Sequence, residues 1–264
     1  MKTILCGLLM MLAFPLMAEP TTATDTTHPR SGIEEKLGQT LPLDLEFYNE
    51  DGYLIPLRKA IHKPTILAFV YYKCPGICSP LLTELTRIVD QMDLELGKDY
   101  DIVTLSFDER EKPQLAADKR ENYLSSIEKT IDPDGWHFFT GDSENIAKLT
   151  SAAGFYFYRT DSTFVHPGAL IIISPEGKIT RYVNGIQYLP IAIKMALLDA
   201  SQGRTGPTIA KLLRFCYAYD PESHTYALDV TRVAMLTVLG MVLIFVVFIV
   251  VKPKKKKPTE AENA

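Results

Sequence analysis

An unbroken apolar run, residues 65–72, leads directly into Lys73-Cys74-Pro75-Gly76-Ile77-Cys78. Beyond it, apolar side chains recur three or four residues apart at Leu82, Leu85, Val89, Met92 and Leu96. The first run is rich in β-branched and aromatic residues and reads as a buried strand; the second spacing is that of an amphipathic helix opening near Ser79. A strand, a tight cysteine-bearing turn and a helix in immediate succession point to folds in which the mouth of an α/β sheet presents two thiols.

The rest of the chain extends this pattern. Asn49-Glu50-Asp51-Gly52 between apolar segments predicts a hairpin over 47–57. A second strand is expected at 101–107, then a helix over 113–124 that opens on a proline. A short strand at 136–140 and a helix over 142–153, capped by Asp142 or Ser143, follow. Residues 169–174 and 178–183 form a hairpin around Pro175-Glu176-Gly177, and 189–200 form a closing helix ended near Gly203. Strands alternating with helices, then a hairpin and a helix, indicate an α/β sheet covered by helices. No internal repeat is visible.

The two ends point to a membrane. Residues 1–18 read as a secretory signal: Lys2, an apolar run over 4–12, Pro15 and a small residue at Ala18. Cys6 lies inside that run, which argues against a lipoprotein cut there. The run is shorter than the roughly 20 apolar residues a spanning helix needs. Residues 19–37, Thr-rich at first and carrying Pro20, Pro29 and Gly32, are expected to be a flexible leader to a domain at 38–202. Residues 203–232 then form a membrane-proximal stalk. Residues 233–251 hold no charge, about 28 Å as a helix, close to a hydrocarbon core of about 30 Å. Lys252 and Lys254 to Lys257 follow at once, within a basic tail at 252–264, and clustered lysines mark the cytoplasmic flank. The expectation is a single-pass inner-membrane protein, held by its C-terminal helix, whose main domain faces the periplasm. The net charge of −4 includes +3 from the tail and +1 from residues 1–18, leaving −8 for the remainder. So acidic a body is a poor partner for phosphate backbones, and nucleic acid is set aside.

Two cysteines with three residues between them, at the start of a helix, sit where free amides favour negative charge. That placement lowers thiol pKa and supplies thiolate, as nucleophile or metal ligand. Pro75 and Gly76 permit a turn tight enough for both sulfurs to face one point. A structural disulfide in an exported protein is the plainer alternative. Two thiolates leave a soft metal incompletely held, and copper(I) favours thiolate with imidazole. The histidines available are His28, His62, His137, His166 and His224. His166 stands out in Phe164-Val165-His166-Pro167-Gly168, where the following proline imposes extended geometry just before a strand.

With these elements in order, the chain resembles the SCO/SenC family of copper-binding thioredoxin-like proteins over roughly residues 38–202. The matching parts are the Cys74-Pro75-Gly76-Ile77-Cys78 loop, Ser106-Phe107-Asp108, residues 136–141, Phe164-Val165-His166, Gly177 and residues 182–185. The resemblance implies a thioredoxin-like sheet in which the loop bearing His166 lies beside the cysteine turn. It implies one copper ion, Cu(I) or Cu(II), on Cys74, Cys78 and His166, and a redox disulfide between the two cysteines. It also implies copper delivery, or thiol reduction, during assembly of the binuclear copper site of cytochrome c oxidase, with a copper-receiving oxidase subunit as partner.

Two features depart from the family's pattern. Its members are usually anchored by an N-terminal helix, whereas the anchor here is C-terminal. The Asp108-Glu109-Arg110-Glu111 segment lacks the proline that commonly follows the aspartate. Asp108 either tunes a nearby ligand without itself holding the metal or is a solvated acid before a helix. Cys216, with His224 beyond it, is left over if Cys74 and Cys78 pair, as a free thiol, an intermolecular partner, part of a second metal site or a plain apolar residue. A membrane-tethered thiol–disulfide oxidoreductase without stable copper is the competing function; His166 separates the two, because a dithiol reductase does not need it. A peroxidase reading fails for want of a threonine and arginine constellation around Cys74. Assembly factor, not turnover enzyme, is the leading expectation.

Overall fold

The computed structural model describes residues 31–161, 163–206, 217–220 and 225–228, and within the apolar run 238, 240–242 and 244–247. The expected signal, the leader up to residue 30, most of the stalk with Cys216 and His224, and the basic tail lie outside the described residues.

A five-stranded mixed sheet forms the centre of the domain. Its strands are β4 (Thr65–Val70), β5 (Asp101–Ser106), β6 (Trp136–Phe139), β10 (Ala169–Ile173) and β11 (Ile179–Asn184), in the spatial order β11-β10-β4-β5-β6. The three parallel strands β4, β5 and β6 are flanked by the antiparallel hairpin of β10 and β11. Every residue of β4, β5 and β10 is buried. Strands covered on both faces read as near-continuous apolar runs, which is why the sequence reveals them.

Four helices cover this sheet: α1 (Cys78–Gln91), α2 (Pro113–Leu124), α3 (Ser143–Ala152) and α4 (Pro190–Ser201). Helix α1 buries Leu81, Leu82, Leu85, Ile88 and Val89, and α4 packs on β4, β10 and β11 through Ile193, Ala196, Leu197 and Ala200. Helix α2 opens on Pro113, and Asp142 caps α3 by accepting the Asn145 N–H at 2.8 Å. Around the sheet lie the expected hairpin, β2 (Glu46–Tyr48) with β3 (Leu54–Pro56), and a small pair, β8 (Tyr158–Arg159) with β9 (Phe164–Val165). In the stalk, Tyr217–Asp220 and Thr225–Leu228 pair as an antiparallel hairpin that sequence spacing did not reveal.

One expectation is corrected here. The leader does not extend to residue 37, because β1 (Gly32–Ile33) pairs with β7 (Phe155–Tyr156). The Glu34 N–H donates to the Gly154 carbonyl at 2.8 Å, and the Lys36 N–H to the Tyr182 hydroxyl at 3.0 Å. Gly154 is required at that crossing: its φ is +63°, and a Cβ there would lie 1.9 Å from the Glu34 carbonyl oxygen. A two-residue strand whose partner is more than a hundred residues away carries no periodicity to detect.

Among the described residues no helix is long and apolar enough to cross a membrane. The described residues of the 233–251 run are helical, and Val238, Met241, Val242, Ile244, Phe245, Val246 and Val247 are all exposed.

Candidate metal centre

Sheet register explains why residues far apart in sequence meet. In the antiparallel pair, Leu170 of β10 faces Ala68 of β4. The residues just before β10 therefore lie at the same end as those just after β4. Cys74 follows β4, His166 precedes β10, and Cys78 is the first residue of α1. One sulfur or nitrogen from each of Cys74, Cys78 and His166 lies within 4.8 Å of the other two.

The turn is short and tied at both ends. The Cys74 N–H donates to the Tyr71 carbonyl at 3.1 Å, and the Gly76 N–H points at the Cys74 sulfur at 3.3 Å. Gly168 acts by closeness: a Cβ there would meet Ile186 Cγ2 at 3.0 Å, the Gly185 carbonyl at 3.3 Å and Ile77 Cδ1 at 3.4 Å. The histidine loop thus seats directly against the residue preceding Cys78.

The imidazole has a defined tautomer. His166 Nδ1 lies 3.0 Å from the Pro167 carbonyl oxygen, which only accepts, so Nδ1 carries the proton. The lone pair is left on Nε2, 3.6 Å from the Cys78 sulfur. Orientation of a ligating ring by a carbonyl on its far nitrogen is a recurrent feature of metal sites. Burial holds the His166 pKa below its ordinary value, against the Pro167 carbonyl, which favours the protonated form. The ring is also held by aromatic neighbours: Phe107 at 5.1 Å between centroids, Tyr71 at 5.8 Å and Phe155 at 6.5 Å.

The two thiols differ. Burial pushes the Cys74 thiol up, but the amides of Cys78 and Gly76, with the Cys78 thiol and Tyr71 hydroxyl, outweigh it and hold its pKa below the ordinary value. Cys78 is only 2% exposed, and burial drives its pKa far upward, with the charge of Cys74 adding to the effect. The expectation that the helix start lowers both thiols is corrected for Cys78, where loss of solvent exceeds the lowering by the Tyr71 main chain. Both cysteines are free thiols.

Asp108 is buried, yet the groups bonded to its carboxylate are Arg110, which donates at 2.9 and 2.7 Å, and Arg159 at 3.3 Å. Burial raises its pKa, and the hydrogen bonds from Arg110 outweigh that and lower it. No hydrogen bond joins it to the three donors. The other described histidines lie apart from the cluster: His62 faces Asp101 at 3.8 Å and His137 faces Glu50 at 3.7 Å. Cys216 and His224 lie outside the described residues.

Sequence reasoning passed over Glu111. Its buried carboxylate accepts the Tyr72 N–H at 2.7 Å, the Lys73 N–H at 2.9 Å and the Ser106 hydroxyl at 2.6 Å. It thereby ties the end of β5 to the two residues leading into Cys74. A glutamate in a charged tetrapeptide ahead of a helix gives no sign of this.

Fold and cluster together define a thioredoxin-like domain carrying two thiols and one imidazole on converging loops. The chain belongs to the SCO1/SenC family, whose pattern it matches over residues 34–197. A candidate copper-binding protein of Stutzerimonas stutzeri is 27% identical over 125 residues, which is 45% of this chain and 57% of that protein's length. The chain therefore matches little more than half of that relative. Among solved structures, a candidate electron-transfer protein of Aquifex aeolicus VF5 superposes with a TM-score of 0.57 at 27% identity, over 64% of this chain and 95% of that one. Copper-bound ScoI of Arabidopsis thaliana shares the fold, with a TM-score of 0.50 and 20% identity over 63% of this chain and 99% of that one.

Proposed function

We propose that this chain is a membrane-anchored copper-binding assembly factor that holds one copper ion, as Cu(I) or Cu(II), on Cys74, Cys78 and His166. The observation that carries the reading is the convergence of two sulfurs and an imidazole nitrogen within 4.8 Å of one another. Two thiolates and an imidazole suit a soft metal, whereas hard cations need oxygen donors.

The residues divide the work. Cys74, half-buried and with its thiolate favoured, is the first donor an incoming ion meets. Cys78 must give up a proton that burial strongly retains, so loading at Cys78 releases that proton and is pH-dependent. His166 completes the set through Nε2, and its aromatic neighbours pack around the ring. The recipient in this reading is a copper-receiving subunit of cytochrome c oxidase, as family membership suggests. Attachment through residues 233–251, with the domain in the periplasm, belongs to the same proposal; the uncharged run, its exposed apolar side chains and the lysines after it support it.

A second reading, thiol–disulfide exchange without stable copper, draws on the contrast between the two thiols, one activated and one buried. Competition with a copper chelator, for wild type and His166→Ala, separates the two. Weaker copper binding in the variant, Cu(II) above all, with the dithiol chemistry intact, supports the assembly factor. Copper affinity and spectra unaffected by the substitution would favour the oxidoreductase.

A further inference from the structure

The best-tied polar group near the cluster donates nothing to a metal. Glu111 is 5% exposed, and its three hydrogen bonds come from neutral groups: two main-chain amides and one hydroxyl. A carboxylate taken out of water is costly unless its oxygens are satisfied, and a fold that retains one gains something specific from it. The placement of those bonds shows what is gained. Tyr72 and Lys73 are the two residues immediately before Cys74, and beyond Val70 no strand pairing fixes them. Ser106 is the last residue of β5, itself buried in the sheet. One side chain therefore fastens the main chain before Cys74 onto the rigid end of the neighbouring strand, while the buried Tyr72 hydroxyl donates to the Phe139 carbonyl at 2.8 Å on the same segment. On the far side of the turn, Cys78 is fixed because it begins α1. Between these two anchors lie only Cys74 to Ile77, so a shift of the main chain held by Glu111 passes directly to the Cys74 sulfur.

We propose that Glu111 is a positioning residue that sets the spacing of Cys74 relative to Cys78 and His166, and thereby the site's affinity for copper; the copper part of this rests on the reading above. The carboxylate is suited to the task because two oxygens accept from consecutive amides at once. An amide in the same place turns an NH2 group towards one of those N–H donors. Glu111→Gln thus keeps the volume and breaks the clamp.

The test uses the full chain and two readouts. Copper(I) affinity is measured by competition with a chromogenic chelator, on protein shown to be folded by circular dichroism. Metal-free, the same protein, with Cys216→Ser in every variant, is equilibrated with reduced and oxidised glutathione: the Cys74 and Cys78 thiols give up two electrons and two protons to form a disulfide, and glutathione disulfide is reduced to two glutathione molecules. That equilibrium reports the effective concentration of one sulfur at the other, with no metal present. In Glu111→Gln we expect copper affinity to fall about 10- to 100-fold, as for other residues that orient ligands. The effective thiol concentration should fall about tenfold. Should Glu111→Gln not fold, Ser106→Ala removes one of the three donors, and a loss of about threefold in both quantities is expected. If wild type binds no copper but Glu111→Gln still lowers the thiol concentration, the copper reading fails and the positioning role stands. Both quantities unchanged in every folded variant, whatever happens to melting temperature, would overturn the proposal and make Glu111 a residue of stability alone.

Discussion

Phe107→Leu separates the support of the imidazole from the imidazole itself. Phe107 is 1% exposed and follows β5. Its ring lies 4.4 Å from Phe157, 5.1 Å from His166, 5.3 Å from Phe164, 5.5 Å from Tyr71 and 5.7 Å from Phe155, between centroids. Aromatic pairs are each worth about 0.5–1.5 kcal/mol beyond buried area, and pairs sharing one ring do not add fully. Leucine keeps most of the volume and none of the ring geometry, so we expect a loss of about 2 kcal/mol rather than the 3–5 kcal/mol, roughly, of truncation to alanine. For a domain of this size that lowers Tm by about 4–8 °C. The same substitution removes the closest ring face from His166, and Cu(II) affinity should fall by about three- to tenfold, less than in His166→Ala. Thermal unfolding followed by circular dichroism, with chelator competition at 25 °C, reads both. A melting temperature within about 1 °C of wild type, or a lower one with unchanged Cu(II) affinity and spectrum, would refute the claim that this cluster orients the imidazole.

Other consequences can be checked in the same preparations. Asp108→Asn should cost about 1–3 kcal/mol, because Arg110 loses its carboxylate and Arg159 keeps only that of Glu109. Since the folded pKa of Asp108 is depressed, its ionic contribution is present above the unfolded value of about 3.9 and is lost as pH falls through the folded one. The gap between wild type and variant in urea midpoints should therefore be full at pH 7 and shrink below about pH 4; a gap that widens in acid would contradict the assignment. Gly154→Ala combines an unfavourable φ with a clash against the Glu34 carbonyl, and should cost about 2–4 kcal/mol and abolish exchange protection of the Glu34 amide; retained protection would show that β1 does not depend on that crossing. Protease added to intact spheroplasts should remove the copper domain and spare the anchor and tail, and a protected domain would reverse the proposed topology. Truncation before Arg232 should leave copper binding intact yet lower oxidase assembly, because a tether raises effective concentration at the membrane; a soluble form supporting assembly as well as the full chain would remove the tether from the account.

Much of the sheet was legible because β4, β5 and β10 are buried on both faces and so appear as apolar runs. Helix α2 was legible from Pro113 and α3 from Asp142, since the start of each is marked by local chemistry. What local chemistry does not mark stayed hidden: β1 and β7 are two-residue strands paired across more than a hundred residues, and β8 and β9 are too short to show a period. At the site, Cys74 and Cys78 stand out by spacing, but His166 was chosen from five histidines by its Phe-Val-His-Pro-Gly setting and by resemblance. Only the antiparallel register of β10 on β4 gives a physical reason for its nearness. The contrast between the thiols could not be read, because it depends on how deeply Cys78 sits beneath the turn. Glu111 was invisible for a related reason: its role lies in two bonds to residues almost forty positions away and one to Ser106, and Asp108, the more conspicuous acid nearby, is taken up by two arginines.

The central claim is that Cys74, Cys78 and His166 form one copper site, and metal content tests it most directly. Reduced protein, loaded with copper and freed of excess by gel filtration, should retain close to one copper per chain. Cys74→Ser and Cys78→Ser should each retain almost none, because a small donor set loses a thiolate. Retention of a full equivalent by either serine variant, with the fold intact, would contradict the site and the function built on it.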